Sequence, residues 1–216
     1  MYKDKNVLLI GGGGTLGTYT AKELLRLGCY VDVLCPEDKV SDNERLAFYK
    51  GLATEDVLRQ LVVTKHYHGI VNFIHYNEVE SYKPIHELLS ENTDHLIFLS
   101  SYRVYADLQH PITETAPMLL DVTQDKVFLE TEKYAISKAK GEKFLRNESK
   151  TDNWTIVRPV ISFSNKRLDL VLCSGRKIVE RAKSGEVIFM PKEAKDVVAG
   201  LDWAGNSGKI IANLLF

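Results

Sequence analysis

The chain has 216 residues, 28 basic against 29 acidic, a net charge of -1, and 44% hydrophobic residues. That length suits one ordinary domain, or one domain plus part of another, with enough apolar mass to bury a core unaided. The near-neutral balance gives no electrostatic case for nucleic acid or an anionic membrane, and no apolar run reaches the length of a membrane span. Three cysteines, Cys29, Cys35 and Cys173, have no metal-ligand spacing and leave one unpaired, which favours a reducing, cytoplasmic setting. The first six residues lack the apolar core of a signal peptide.

Val7-Leu8-Leu9-Ile10 is an apolar run suited to a strand buried on both faces of a parallel sheet. It runs into Gly11-Gly12-Gly13-Gly14 and then a predicted helix from Thr15 to Leu27, with Ala21, Leu24 and Leu25 on one stripe. A glycine turn opening a helix presents free N–H groups and a positive dipole end, which suits a pyrophosphate. Gly11, Gly14 and Gly17 are spaced G-x-x-G-x-x-G, overlapping a possible G-x-G-x-x-G. Val31–Leu34 is the second predicted strand, followed by Cys35-Pro36 and the acidic pair Glu37-Asp38. An acid there meets an adenosine ribose and repels a 2′-phosphate, and no arginine stands beside it. The expected cofactor is therefore NAD, favoured over NADP.

Leu46–Tyr49 reads as a third strand, and Thr54 as the N-cap of a helix carrying Leu58, Leu61 and Val62 on one face. Gly69–Ile74 reads as strand four, a helix starts near Pro84 and runs to Asn92, and Leu96–Leu99 is strand five. Among the histidines only His66 and His68 stand close together, with no carboxylate or cysteine recurring beside them, so no metal site is expected. Residues 106–131 read as a long loop with Pro111 and Pro117, with room for a short helix, and Glu132–Asn147 as a helix. Asn153–Val157 is strand six, Leu168–Lys183 a helix, Glu186–Met190 a short strand and Ala204–Leu215 a final helix. Strands alternating with helices make this an α/β chain, a Rossmann-like doubly wound parallel sheet.

Ser100-Ser101 follows strand five, on the sheet edge where such folds collect functional groups. Tyr134 and Lys138 stand at i and i+4, on one helical face. An ammonium near a phenol favours the phenolate, so Tyr134 can serve as general base or acid, with Ser101 fixing the same substrate oxygen. Glu142, four residues beyond Lys138, is a candidate helical partner for it.

In this order the motifs resemble the short-chain dehydrogenase/reductase superfamily, in its extended nucleotide-sugar epimerase/dehydratase branch. The matching residues are Gly11-x-x-Gly14-x-x-Gly17, Ser100-Ser101-x-x-Val104-Tyr105, Pro111-x-x-Glu114-x-x-Pro117, Tyr134-x-x-x-Lys138 with Glu142, and Arg158-Pro159. The resemblance implies Ser101, Tyr134 and Lys138 as the catalytic triad. It also implies dinucleotide binding by Gly11, Gly14, Thr15, Leu16, Gly17, Tyr134 and Lys138. It implies hydride transfer on a nucleotide-activated sugar or other small molecule, and a homodimer through two helices, one of them shortened here. The segment after strand three, Lys50-Gly51-Leu52, lacks the aspartate of the family's Gly-Asp pair.

Family members run to roughly 300 residues, a two-domain size, so a truncated C-terminal substrate lobe is expected. Residues 1–165 would form the NAD-binding unit and 166–216 a partial substrate region interleaved with the end of the sheet. The chain would then be a fragment or a naturally reduced member. The alternative function is a non-catalytic dinucleotide-binding module that senses redox state or docks a partner. An RNA-associated relative would need a basic face, and the lysines of 133–150 are diluted by Glu130, Glu132, Glu142 and Glu148.

Overall fold

The computed structural model describes residues 2–165, 167–170, 173–196 and 198–216. Strand β1 (Asn6–Ile10) leads through α1 (Thr15–Arg26), β2 (Tyr30–Cys35), β3 (Leu46–Lys50) and α2 (Glu55–Thr64) to β4 (Gly69–Asn72), α3 (Val79–Ser90) and β5 (Leu96–Leu99). A 3-10 turn at Tyr102–Val104 is followed by α4 (Leu119–Val122), α5 (Lys126–Thr131), the long α6 (Lys133–Glu148) and β6 (Trp154–Val157). Then come β7 (Ile161–Phe163), β8 (Asp169–Leu170), β9 (Cys173–Ser174), α7 (Gly175–Ser184), β10 (Leu201–Trp203) and α8 (Ala204–Leu214).

The main sheet has six strands in the order β3-β2-β1-β4-β5-β6, and every pairing in it is parallel. It is the doubly wound sheet expected from the alternation of elements. The apolar run of β1 is explained by cover on both sides. Val7 and Leu9 pack with Ala21 and Leu24 of α1 and Ile211 and Ala212 of α8. Leu8 and Ile10 pack with Leu58 and Val62 of α2 and Ile85, Leu88 and Leu89 of α3. Helix α6 is pinned beside α3 by Phe144 and Leu145 against Tyr82 and Phe98. Strand order reverses between β1 and β4, so a crevice opens there beyond the carboxyl ends.

Three expectations are corrected. Helix α3 begins at Val79 and carries Pro84 inside it, because Tyr82, Ile85, His86, Leu88 and Leu89 are all buried and tertiary packing outweighs one missing N–H. The helix predicted from Leu168 starts only at Gly175, and a two-residue antiparallel ladder, β8 with β9, precedes it. Val171 and Leu172 lie outside the described residues. The strand predicted at Glu186–Met190 is irregular and exposed, whereas β10 pairs in parallel with β7, two strands that the sequence did not signal.

Thr54 caps α2, its hydroxyl accepting the Val57 N–H. Helix α8 closes the α1 face: Leu215 is buried in that core, and the ring of Phe216 meets that of Tyr2 edge-on at 5.4 Å. Among the described residues no helix is long and apolar enough to cross a membrane.

Candidate active site

The glycine turn has a separate physical role at each of its motif positions. Gly11 has φ +71°, a left-handed backbone that favours glycine. A Cβ on Gly17 would stand 2.3 Å from the Gly12 carbonyl oxygen, so that glycine lets α1 press onto the turn. Gly14, the N-cap of α1, has nothing within 4 Å of where a Cβ would project, and no side chain caps the helix. The open space at Gly14 belongs to a cleft of about 270 Å³ lined by Gly13, Gly14, Thr15, Thr18, Lys22 and Lys39, among others. An uncapped helix start with a cationic rim suits a phosphate-bearing ligand. Leu16 enters this arrangement through its backbone, its carbonyl accepting the Thr20 hydroxyl one turn on.

The acidic turn after β2 does come to the glycines. A Cβ on Gly13 would lie 2.6 Å from the Glu37 carboxylate, whose pKa is lowered first by its own backbone N–H and then by the Cys35 thiol. The acids are not alone, however. Lys39 donates to the Gly13 carbonyl at 2.7 Å, and Lys50 pairs with Asp38 at 3.0 Å. The charge argument for NAD over NADP, which relied on unaccompanied acids, loses its footing. Asp32, farther back in β2, is buried and receives Tyr67 at 2.7 Å and Lys65 at 2.9 Å.

Beyond β4 and β5 lies the second half of the site. Lys138 is buried, and its ammonium donates to the Leu99 carbonyl at 2.6 Å and the Ile74 carbonyl at 3.2 Å. An ammonium has three donors, so one remains. Burial pulls its pKa down to about 8. Ser101 is buried at the start of the 3-10 turn, its hydroxyl accepting the Arg103 N–H at 3.3 Å. Tyr134, one turn before Lys138 on α6, is 38% exposed. Ser101, Tyr134 and Lys138 therefore reach the same sheet edge, but among the described residues they make no hydrogen bond to one another. Arg103 links them instead, stacking over the Tyr134 ring at 5.8 Å and pairing with Glu132, the N-cap of α6, at 2.8 Å.

Glu142 does not pair with Lys138. Its buried carboxylate takes two hydrogen bonds from Arg158, whose guanidinium also reaches the Tyr105 hydroxyl. Three separate pieces of the sequence pattern, Tyr105, Glu142 and Arg158, thus form one buried network behind the site. His75, which no sequence motif singles out, meets the Tyr134 ring at 4.9 Å, and its Nε2 lies 2.7 Å from the Ser137 hydroxyl. Its one sequence signal was its place directly after strand four.

The pair His66 and His68 acquires a carboxylate after all, since Asp94 lies 3.1 Å from His66. His68 Nδ1 is already held by the Asn6 N–H at 3.1 Å, which leaves its neutral ring protonated on Nε2 and poorly suited to a cation. The cluster stands at the amino end of the sheet, away from the glycine turn.

The model of the NAD dependent epimerase/dehydratase family matches residues 7–191. Among solved structures, the Bordetella bronchiseptica enzyme WbmH in complex with NAD+ is 16% identical, covering 98% of this chain and 72% of that one at a TM-score of 0.75. WbmG of the same organism, in complex with NAD and UDP, is 18% identical over 96% and 67% of the two chains, with a TM-score of 0.70. UDP-N-acetylglucosamine 4-epimerase from Bacillus cereus is 14% identical over 98% and 72%, with a TM-score of 0.67. At these identities the likeness is one of fold. No curated protein matches the sequence.

Proposed function

The chain belongs to the NAD-dependent epimerase/dehydratase family, and from that premise we propose that it exchanges hydride between NAD and a nucleotide-activated sugar. The observation that carries this reading is the convergence of the glycine turn with Ser101, Tyr134 and Lys138 at one sheet edge. The fit to a dinucleotide rests on the open space at Gly14, the uncapped start of α1 and the cleft beside them. Bound there, a nicotinamide would supply the hydride chemistry.

The chain's own residues do the rest. Gly11 shapes the turn, Gly17 holds α1 against it, and the backbone at Gly14, Thr15 and Leu16 faces the pyrophosphate. Tyr134 moves the proton of the reacting hydroxyl, and Ser101 fixes that oxygen. The remaining Lys138 donor is available to the nicotinamide ribose and the phenol. The nucleotide sugar as substrate is supported by the family and by two structural neighbours, WbmG in complex with NAD and UDP and a UDP-N-acetylglucosamine 4-epimerase. Residues 1–165 carry all the named groups; within 166–216, α8 packs on β1 and α1 as part of the sheet's cover, and the segment before it is assigned to the substrate side.

A second reading, a dinucleotide-binding module without turnover, is favoured by the lack of hydrogen bonds among Ser101, Tyr134 and Lys138. One experiment separates the two. NAD+ should bind in calorimetry, and Tyr134→Phe should lower hydride exchange with UDP-sugars by roughly 10²–10⁴-fold while leaving that binding intact. Binding without any exchange in the parent chain selects the second reading, and absence of binding rejects both.

A further inference from the structure

Nothing among the described residues hydrogen-bonds the Tyr134 hydroxyl, so the pose of this ring depends on its neighbours. Arg103 covers it, and the His75 imidazole meets it edge-on at 4.9 Å with an interplanar angle of 61°. His75 is itself anchored. Its Nε2 lies 2.7 Å from Ser137 Oγ, and that hydroxyl donates its single hydrogen to the Tyr134 carbonyl at 2.9 Å. The hydrogen on Ser137 being committed, Nε2 must be the donor, so neutral His75 carries its proton there and leaves Nδ1 bare. One residue earlier, the Ile74 carbonyl takes the Lys138 ammonium. The end of β4 is thus tied to α6 at two successive positions.

We propose that His75 is a positioning residue for Tyr134: anchored on Ser137, its neutral imidazole sets the pose of the phenol ring, and protonation releases it. This rests on the reading of Tyr134 as the acid/base group. A second proton, on Nδ1, turns the ring into a cation in a place that disfavours one. Among the described residues, the titratable groups that face it are Tyr134 and Lys138 on α6, while Arg103 stacks on the Tyr134 ring and pairs with Glu132. Burial first, and then the Lys138 ammonium, hold the imidazole below the usual histidine range. The edge-on contact with the phenol also suits a neutral ring, whereas a cation prefers the face.

The test reads the ring itself, on the full chain without added cofactor. Tyrosine-ring carbon NMR is followed from roughly pH 5 to pH 8, with the Tyr134 signals identified by their loss in Tyr134→Phe. A single step in those signals is expected below the usual histidine range, and His75→Gln should abolish it. No step at Tyr134, or a step that survives His75→Gln, overturns the proposal. If His75→Gln fails to fold, Ser137→Ala carries the same question. Releasing the anchor should move the Tyr134 step towards the ordinary histidine value, and an unmoved step is the overturning result. NAD+ is then titrated into the same samples. Failure to bind it counts against the function proposed above, while the His75–Tyr134 coupling is decided by the cofactor-free spectra.

Discussion

Gly14 and Gly17 look alike in the sequence, but the space around them separates them. Gly14→Ala should cost at most about 1 kcal/mol, the loss of a favoured N-cap residue, because its extended backbone suits any residue and its Cβ meets nothing. The same methyl enters the cleft where a pyrophosphate would lie, so NAD+ affinity should fall at least tenfold in calorimetry. Gly17→Ala should do the reverse damage, costing about 1–3 kcal/mol by overpacking α1 against the Gly12 backbone. Urea unfolding of the two variants checks the contrast. Lys138 adds a pH prediction. Its pKa of about 8 means the ammonium is present at neutrality and lost above that point. Hydride exchange should decline as pH rises through about 8, and Lys138→Met should remove that limb along with most of the rate. Glycine spacing, Ser101, Tyr134 and Lys138 were legible because each stands at a fixed offset within a single element. His75 and Lys39 were not, since their importance comes from contacts with chain far away, Ser137 and Gly13 respectively.

Among the elements, β6 and α6 are tied by Arg158 and Glu142, and the 3-10 turn joins them through Tyr105. Removing one partner leaves the other charge poorly compensated, since the next cation to Glu142, Arg146, stands 3.9 Å away and half exposed. Arg158→Met or Glu142→Met alone should therefore cost about 3–5 kcal/mol, and the double variant should recover much of that loss in a double-mutant cycle followed by chemical denaturation. A double variant as unstable as the sum of the singles would show that the pair is not the source. Strands β1 and β5 were readable as unbroken apolar runs, because burial on both faces removes every polar position, and β2 as one interrupted only by Asp32, whose carboxylate Tyr67 and Lys65 satisfy. The failures came where short apolar runs fit either period. Asp169-Leu170 and Cys173-Ser174 fell within a predicted helix and pair as a two-strand antiparallel ladder. Val187-Ile188-Phe189-Met190 looked like a strand and pairs with no strand among the described residues, while Leu201-Asp202-Trp203, less apolar, found β7. A strand needs a partner, and a partner is invisible in local sequence.

At the scale of the molecule, acid stability should follow His86. Its ring is fully buried between α3 and α6, with Nε2 2.8 Å from the Ser149 hydroxyl, and burial lowers its pKa to about 4. The unfolded chain takes up this proton near pH 6.5, the folded chain only near 4. The unfolded state thus binds more protons in that window, so stability is full above it and is lost as pH falls through it, by at most about 3 kcal/mol. Unfolding free energies at neutral and acidic pH measure the loss, and His86→Gln should flatten it.

The closure of the first sheet face by α8 has a consequence for how the protein is made. A chain emerging from its amino end presents β1 and α1 well before Ile211, Ala212 and Leu215, which cover them. At about 5–20 residues per second, that apolar face waits on the order of ten to forty seconds for its lid. During synthesis the nascent half-sheet is a target for chaperones, and a pause late in translation should raise aggregation more than one placed early.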